Sequence, residues 1–302
     1  MALSIHTNYS ALITNTALNK SNNALATNQQ RLGTGLRINS AADDAAGLQI
    51  ATRLNAQSRG MAVAMRNVGD ATSLLQTAEG AFSEMTDIVQ RMKDLATQSA
   101  NGTNSKADRE SLQGEYDQLG SELANIFKNT KFAGANLFTD DGTAVTAGGK
   151  LGTTDQAIQF QIGASGEETL EMDASTNVGD VQEKLAALSS FFADEAPDTA
   201  GTELVDETGE AANGKLKALS DALDSIGTLR AQFGANINRL NHTSNNLANM
   251  KDNTDMSKGR IMDADFAMES ANMSKNSMLM QSGISMLKQA GQMPGLVMSL
   301  LG

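Results

Sequence analysis

Residues 54–96 read LNAQSRGMAVAMRNVGDATSLLQTAEGAFSEMTDIVQRMKDLA, and apolar residues recur in this stretch at every seventh position. One track contains Leu54, Met61, Val68, Leu75, Phe82, Val89 and Ala96, and a second row contains Leu74, Ala81, Ile88 and Leu95. Heptad spacing that persists over such a length is typical of a coiled-coil helix. A helix over this stretch would be about 65 Å long. An average globular helix has only about 11–12 residues, or roughly 17 Å. The stretch therefore predicts a long, rod-like helix.

Similar tracks lie towards both chain ends. They contain Leu18, Leu25 and Leu32; Leu219, Ile226, Phe233, Leu240 and Leu247; and Phe266, Met273, Met280, Leu287 and Leu301. Another helix is predicted over 106–128, where Ser105 and Asp108 have the spacing of a capping box. An apolar stripe on one helix face must be buried against a partner. We therefore expect a mainly α fold in which long helices from both chain ends form antiparallel coiled coils.

The middle of the chain has a different pattern. TKFAGANLF (130–138) and AIQFQIG (157–163) have apolar residues at every second position, which predicts short strands. Residues 140–155 and 197–214 are acidic and rich in turn formers, which predicts loops. Residues 178–193 form a candidate short helix whose inward side chains are Val181, Leu185, Leu188 and Phe192. A small β-hairpin and loop region is thus expected between the helical halves.

Charge is distributed unevenly along the chain. The net charge is −12, and residues 139–214 hold 16 acids but two bases, Lys150 and Lys184. The first 42 residues contain no acid, and none follows Glu269. This balance argues against nucleic acid or an anionic membrane as a partner. Ends without acids suggest surfaces that are covered in an assembly of identical copies, where like charges would repel; the alternative is a pair of disordered tails.

Motifs of catalysis or metal binding are not found in the sequence. The chain has no Cys and two histidines, His6 and His242, so we expect no catalytic, cofactor-binding or metal-binding residues and no cofactor. The adjacent Asp43 and Asp44 are interpreted as the first turn of a helix capped by Ser40, where the helix dipole favours negative charge. A metal site is the less favoured alternative because no third ligand is in view. The first 15 residues lack the features of a cleavable signal, and no apolar run is long enough to span a membrane.

Several long blocks, in order, resemble the bacterial flagellins. They are HTNYSALITNTALNKSNNAL (6–25), QRLGTGLRINSAADDAAGLQIATRL (30–54), QRMKDLATQSANGTNS (90–105), TKFAGANLF (130–138), FQIGASGEETLEMD (160–173) and the whole stretch from Gly259 to Gly302. The resemblance covers about two thirds of the chain and leaves out 139–155 and 175–214. The first 12 residues, MALSIHTNYSAL, resemble lateral-type flagellins.

The resemblance implies both architecture and function. Residues 1–44 and 257–302 would form a terminal helical core domain that builds an inner tube. Residues 45–174 and 215–256 would form a rod domain with long helices and a β-hairpin, and 175–214 a small variable, surface-exposed segment. The implied function is that of a non-enzymatic structural subunit, which self-assembles into the helical flagellar filament used for swimming or swarming. The track residues Leu18, Leu25, Leu32, Phe266, Met273, Met280, Leu287 and Leu301 would form the assembly interface.

The resemblance also implies partners and a location. The partners would be other copies of the chain, the filament cap, hook-associated proteins, an export chaperone, the flagellar export apparatus and, for the free monomer, host flagellin receptors. The subunit would be secreted into the extracellular filament. An animal receptor would contact Arg91, Leu95 and Glu115. A plant receptor would contact Arg37, Ile38, Asp43, Asp44, Gly47 and Leu48, although Ala42 departs from the family pattern, in which Lys is common.

Two other classes of protein remain open at this point. A hook-associated protein at the hook–filament junction has ends that resemble those of flagellin, but its terminal blocks usually depart more from the pattern. A cytosolic coiled-coil adaptor would have no need of acid-free ends.

Overall fold

Long helices from both halves of the chain dominate the structure, a computed structural model that describes residues 8–140, 145–152, 157–193, 201–206 and 209–301. The helices are α1 (Tyr9–Thr34), α2 (Ala45–Ser99), α3 (Lys106–Asn129), α4 (Gly149–Gly152), α5 (Ser175–Leu188), α6 (Ser190–Ala193), α7 (Glu210–Met262) and α8 (Phe266–Leu301). The strands are β1 (Lys131–Phe132), β2 (Ala135–Asn136), β3 (Ile158–Gln161) and β4 (Thr169–Met172). The predicted mainly α fold is confirmed.

The chain divides into two compact units. The terminal unit comprises residues 1–58 and 251–302, and the central unit comprises residues 59–250. The three-part division predicted from the family resemblance stays a prediction.

The main helices of the central unit are those predicted from the heptad spacing, and their track residues are buried. In α2, the track residues from Met61 to Ala96 are buried, and in α7 so are those from Leu219 to Leu247. The two helices are antiparallel here: an Arg230 Nη2 atom lies 2.8 Å from Glu79 Oε1, and Gly209, just before α7, lies against Ala100, just after α2, where an added Cβ would be 2.9 Å from the Ala100 carbonyl oxygen. The stripes therefore bury each other, as the sequence predicted, and α2 extends beyond 54–96 at both ends.

Aromatic rings form the centre of this unit. Phe82 of α2 lies against Phe138 and Phe233, with centroid separations of 4.7 and 6.0 Å. Phe127 of α3 contacts Phe138 at 5.4 Å and Phe192 of α6 at 5.8 Å. All five side chains are fully buried. Five of the eleven aromatic residues of the chain thus pack together where α2, α3, α6 and α7 meet.

The turn between α2 and α3 is fixed by polar contacts. The Ser105–Asp108 capping box predicted from the sequence is present, and the Ser105 hydroxyl holds the pKa of Asp108 below its ordinary value. Arg109, which sequence reasoning missed, is buried, and its guanidinium donates to the Ser99 and Asp206 carbonyl oxygens at 2.9 Å. A buried guanidinium needs such partners to offset its lost hydration. Arg109 therefore holds the end of α2 against residues 201–206.

The strands form two small antiparallel hairpins. β1 pairs with β2 through a turn in which Ala133 and Gly134 both have positive φ, as a type I′ turn requires. β3 pairs with β4, with Phe160 opposite Leu170. Ile158, Phe160 and Ile162, the alternating apolar residues of this stretch, are partly buried and pack against the core. The strands are shorter than the alternating stretches from which they were predicted.

The described part of the predicted variable segment packs into the central unit. The inward residues predicted for 178–193, Val181, Leu185, Leu188 and Phe192, are all buried, on α5 and α6, and Leu204 is buried as well. Residues 194–200 and 207–208 of this segment, and 141–144 and 153–155 of the predicted loop, lie outside the described residues.

Replacing Phe82 with Ala should lower the free energy of unfolding of the central unit by about 3–5 kcal/mol, because the change leaves a cavity between Phe138 and Phe233. Urea unfolding followed by circular dichroism measures this. Val63→Ala, at an exposed position of the same helix, should change the stability by less than about 0.5 kcal/mol. Equal effects of both changes would contradict the assignment of Phe82 to the core.

Candidate functional site: the paired terminal helices

Helices α1 and α8 of the terminal unit pack antiparallel. Asn8 Nδ2 donates to the Ala290 carbonyl oxygen at 2.7 Å, near the start of α1, and Arg31 Nη1 donates to Glu269 Oε1 at 3.1 Å, near its end. Between them, Leu18 lies against Gly283, where an added Cβ would be 3.2 Å from Leu18 Cδ1. Residues that lie far apart in the sequence therefore form one continuous helix pair.

The predicted assembly residues fall into three groups. Leu18, Leu25 and Leu32 of α1 and Met273, Met280 and Leu287 of α8 are half-buried, as expected for residues along a two-helix seam. Phe266 is 57 % exposed. Leu301 ends α8, and its side chain lies outside the described residues. Their role in contacts between copies stays a prediction.

A second set of apolar side chains on the pair, which sequence reasoning missed, faces away from the seam. These exposed residues are Tyr9, Leu12 and Ile13 of α1 and Met268, Met278, Leu279, Ile284 and Met286 of α8, with Met278 reaching 70 % exposure. The sequence did contain a signal for this set: these apolar residues lie off the heptad tracks, so a two-helix seam would not bury them. Large apolar side chains that stay exposed on one helix pair are typical of a site of association.

A polar cluster lies within the same pair. Glu269 and Asn28 are only 8 % and 7 % exposed. In the amide orientation that satisfies the network, Asn28 Nδ2 donates to Glu269 Oε2 at 3.1 Å, and Asn28 Oδ1 accepts from Asn276 Nδ2 at 3.1 Å. Glu269 thereby accepts from both Arg31 and Asn28, so its buried charge is compensated.

The ends of α1 and α7 are joined by backbone hydrogen bonds. α1 stops at Gly35, whose φ of 72° favours glycine, and the Gly35 N–H donates to the Arg31 carbonyl oxygen. Arg37 N donates to the Met262 carbonyl oxygen at 2.6 Å, and Ala264 N to the Gly35 carbonyl oxygen at 2.9 Å. These bonds bring the start of α8 beside the end of α1.

The two adjacent aspartates lie just before α2, so they stand at a helix start, but the prediction that they form its first turn is wrong, because α2 begins at Ala45. Ser40 does not cap the helix. Asp43 Oδ2 accepts from the backbone N–H of Ser40 at 2.9 Å and of Asn39 at 3.1 Å, bonds that hold the pKa of Asp43 below its ordinary value. Asp44 Oδ1 accepts from Gly47 N at 2.8 Å, so Asp44 is the cap, and α2 begins one residue later. Residues 40–43 form a separate turn.

The remaining plant-receptor candidates surround this turn. Arg37 is exposed and donates from Nη2 to the Ile261 carbonyl oxygen at 2.9 Å, while Ile38 is buried and Leu48 half-buried. A Cβ on the buried Gly47 would lie 2.8 Å from Ile38 Cδ1 and 2.5 Å from Asp44 Oδ2. Gly47 is therefore needed for close packing whatever its role in recognition.

An ionic cluster also links α2 to α7 in the terminal unit. Asp255 accepts from Lys251 Nζ at 2.9 Å, from Ser58 Oγ at 2.8 Å and from Lys258 Nζ at 3.3 Å. The hydrogen bonds from Lys251 and Ser58 lower the pKa of Asp255 to about 2.

The animal-receptor candidates lie in the central unit. Arg91 of α2 and Glu115 of α3 are exposed and form an ion pair, with Arg91 Nε 2.8 Å from Glu115 Oε1. Leu95 is 1 % exposed. The structure therefore brings two of the three together on the surface and places the third in the core.

The part of the chain that the structure describes contains no cluster of metal-ligand side chains. Within these residues, no three His, Cys, Asp or Glu side chains are grouped to hold a metal ion. His242 is exposed, and His6 lies outside the described residues. No described helix is long and apolar enough to cross a bilayer.

Helices from both chain ends that pair along one face and expose apolar side chains on another define a self-assembling structural subunit. The comparisons give the family. A family model described as the bacterial flagellin N-terminal helical region matches residues 5–143, and the corresponding C-terminal helical region matches residues 216–301.

Curated relatives match over their whole length. Polar flagellin C of Vibrio parahaemolyticus serotype O3:K6 (strain RIMD 2210633) is 36 % identical over 383 aligned residues, and flagellin A of Vibrio anguillarum is 36 % identical over 378. Both alignments cover 100 % of this chain and 100 % of the relative. Since this chain has 302 residues, these relatives carry segments that it lacks.

A solved structure supports the fold. The structure, described as that of a flagellar hook-associated protein from Vibrio parahaemolyticus, matches with a TM-score of 0.57 at 17 % identity, covering 73 % of this chain and 100 % of that chain. At this identity the likeness shows the fold alone and does not favour the hook-associated alternative.

The chain belongs to the bacterial flagellin family. It is a structural subunit that self-assembles into the flagellar filament outside the cell, as the sequence predicted. The resemblance of its first residues to lateral-type flagellins stays a prediction.

Asp255→Asn should reduce the dependence of thermal stability on acid pH. Folding lowers the pKa of Asp255 from 3.8 to about 2, so its contribution to stability is complete above about pH 4 and is lost as the pH falls towards 2. The unfolding midpoints of the wild type and the variant, followed by circular dichroism, should therefore differ above pH 4 and converge near pH 2. Asp252→Asn, at an exposed neighbour, serves as the control, and a difference that persists at pH 2 would contradict this role of Asp255.

Proposed function

We propose that the exposed apolar faces of α1 and α8 are the surfaces through which copies of this flagellin join in the filament. The single observation that carries the proposal is the uncovered set that includes Leu12, Ile13, Met278 and Met286, on a pair that is otherwise nearly free of acids. Burial of such surface contributes about 25 cal/mol per Å². The seam residues position these faces and need not contact another copy themselves.

Order in the terminal unit is coupled to polymerisation in this proposal. α1 and α8 bury few side chains completely, whereas the central unit contains a continuous buried core. Most of the stability of a helix in a protein comes from tertiary packing, and a narrow apolar seam supplies little of it. Neighbouring copies complete the burial, so their binding stabilises the ordered form by mass action.

The partners follow from the family and from the exposed faces. We propose that the filament cap and hook-associated proteins meet the chain during assembly, and that an export chaperone and the export apparatus handle it beforehand. The filament would serve swimming or swarming. No catalytic activity is proposed, in keeping with the structural role of the family.

Receptor recognition is proposed for the free monomer. The exposed ion pair of Arg91 and Glu115 supports contact with an animal receptor, and the core position of Leu95 means that those two residues would carry it. For a plant receptor, Asp43 and Asp44 are accessible, while Ile38 is buried. A receptor that contacts Ile38 would need this segment to leave its folded position.

Deleting residues 1–40 should abolish growth on filament seeds and leave the central unit folded, because the deletion removes α1 but none of the buried core of that unit. Seeded growth followed by electron microscopy, with circular dichroism of the soluble variant, measures both effects. Elongation of seeds by the shortened chain at the rate of the full chain would refute the proposal.

Met286→Glu tests the exposed face itself. A carboxylate that is buried between copies without a partner is strongly unfavourable, so seeded elongation should slow by at least about ten-fold. Gln289→Glu, which adds the same charge at an exposed polar position of α8, is the matched control and should slow growth by less than about three-fold. Equal slowing would indicate a general charge effect and argue against an apolar contact at Met286.

A further inference from the structure

The apolar seam between α1 and α8 does not by itself define how far one helix is shifted along the other. Its main contributors recur every seven residues in both helices, at Leu18, Leu25 and Leu32 and at Met273, Met280 and Leu287. Sliding one helix by seven residues, about 10 Å, would again place apolar residues opposite apolar residues. Several registers are therefore similar in apolar burial.

The polar cluster distinguishes these registers. Glu269 is the only acidic residue in the sequences of α1 and α8, and in the structure it lies between Arg31 and Asn28. A shift of seven residues moves Glu269 about 10 Å from Arg31, beyond the reach of a hydrogen bond. The carboxylate would then face the seam without its partners, which is costly for a group that is 8 % exposed.

The other polar contacts between the helices are less selective. Asn8 bonds to a main-chain carbonyl, that of Ala290, and the bridge between residues 35–37 and 262–264 also uses main-chain atoms. The Asn8 contact uses a main-chain carbonyl, a group that is present at every position, so it does not identify a particular residue. The bridge lies outside the two helices, where α1 ends and α8 begins, and within the helix pair Arg31 and Glu269 form the nearest contact that depends on the identity of the side chains.

We propose that the cluster of Asn28, Arg31 and Glu269 selects the register of the α1–α8 pair. In coiled coils, a buried polar group can fix the register of the helices while lowering their stability. In this chain it ensures that every copy presents the same arrangement of exposed apolar residues to its neighbours. Arg31 and Glu269 are positioning residues in this sense.

The absence of cysteine from the sequence makes the register directly measurable. Leu18→Cys with Gly283→Cys reports the observed register, because an added Cβ at Gly283 lies 3.2 Å from Leu18 Cδ1. Leu18→Cys with Asn276→Cys and Leu18→Cys with Ala290→Cys report shifts of seven residues in either direction. Filaments of each variant are treated with a short bifunctional thiol reagent, and intramolecular crosslinks are identified by mass spectrometry of the monomer band.

In the otherwise wild-type chain, only the first reporter should crosslink efficiently. With Arg31→Leu and Glu269→Leu added, the helices should still pair, because apolar residues replace a buried ion pair, but a shifted reporter should gain crosslinking by at least about ten-fold relative to the first. Lys20→Leu with Lys275→Leu, which removes two exposed charged side chains from the same helices, should leave the pattern unchanged.

Two outcomes would overturn the proposal. One is a variant without the ion pair that crosslinks only through the first reporter. The other is the loss of all crosslinks together with loss of helicity, which would show that the cluster is needed for pairing and not for its register. The exchanged pair Arg31→Glu with Glu269→Arg should restore the wild-type pattern, and its failure to do so while the helices remain paired would also count against selection by this ion pair.

Discussion

Each long helix of this flagellin carries an apolar stripe that it cannot bury alone, and the partner stripe lies at the other end of the chain. A helix with one apolar face gains most of its stability from tertiary packing. The chain therefore has to return antiparallel to itself, as α2 does with α7 and α1 with α8. Everything else in the structure depends on this pairing, because it brings residues such as Asn8 and Ala290 within hydrogen-bonding distance.

The two units satisfy this constraint to different extents. In the central unit, α3, α5 and α6 cover the α2–α7 pair, so the seam becomes a closed core around Phe82 and Phe127. In the terminal unit, the described elements leave much of α1 and α8 uncovered, and large apolar side chains stay exposed. The first arrangement is complete within one chain. The second is the incomplete burial that is expected of a subunit whose remaining partners are other copies of itself.

Periodicity made the long helices predictable, because a heptad track sustained over a whole helix specifies both the element and its buried face. The Ser105–Asp108 cap was predictable for a similar reason, since the motif and its hydrogen bonds are local. Contacts that join distant segments were not: nothing near Arg109 in the sequence indicates that it reaches Asp206. The start of α2 was predicted only approximately. Ser and Asp can both cap a helix, and the path of the backbone decides that Asp44 and not Ser40 does so. The exposed apolar set was not predicted, because its members lie off the heptad tracks from which the buried faces were predicted.

Charge differs between the terminal helices, whose exposed faces are the proposed contacts between copies, and the rest of the chain. In a polymer of identical subunits every charge is repeated at the spacing of the subunits, so unpaired like charges at a contact repel in each copy. Acids are concentrated in residues 139–214 and are missing from the first 42 residues. Glu269 is the last acid of the chain, and the structure buries it and pairs it with Arg31 inside a single subunit. A charge that is neutralised within its own chain adds little repulsion between copies. The carboxylate of Glu269 can therefore lie in the pair of α1 and α8 without opposing assembly.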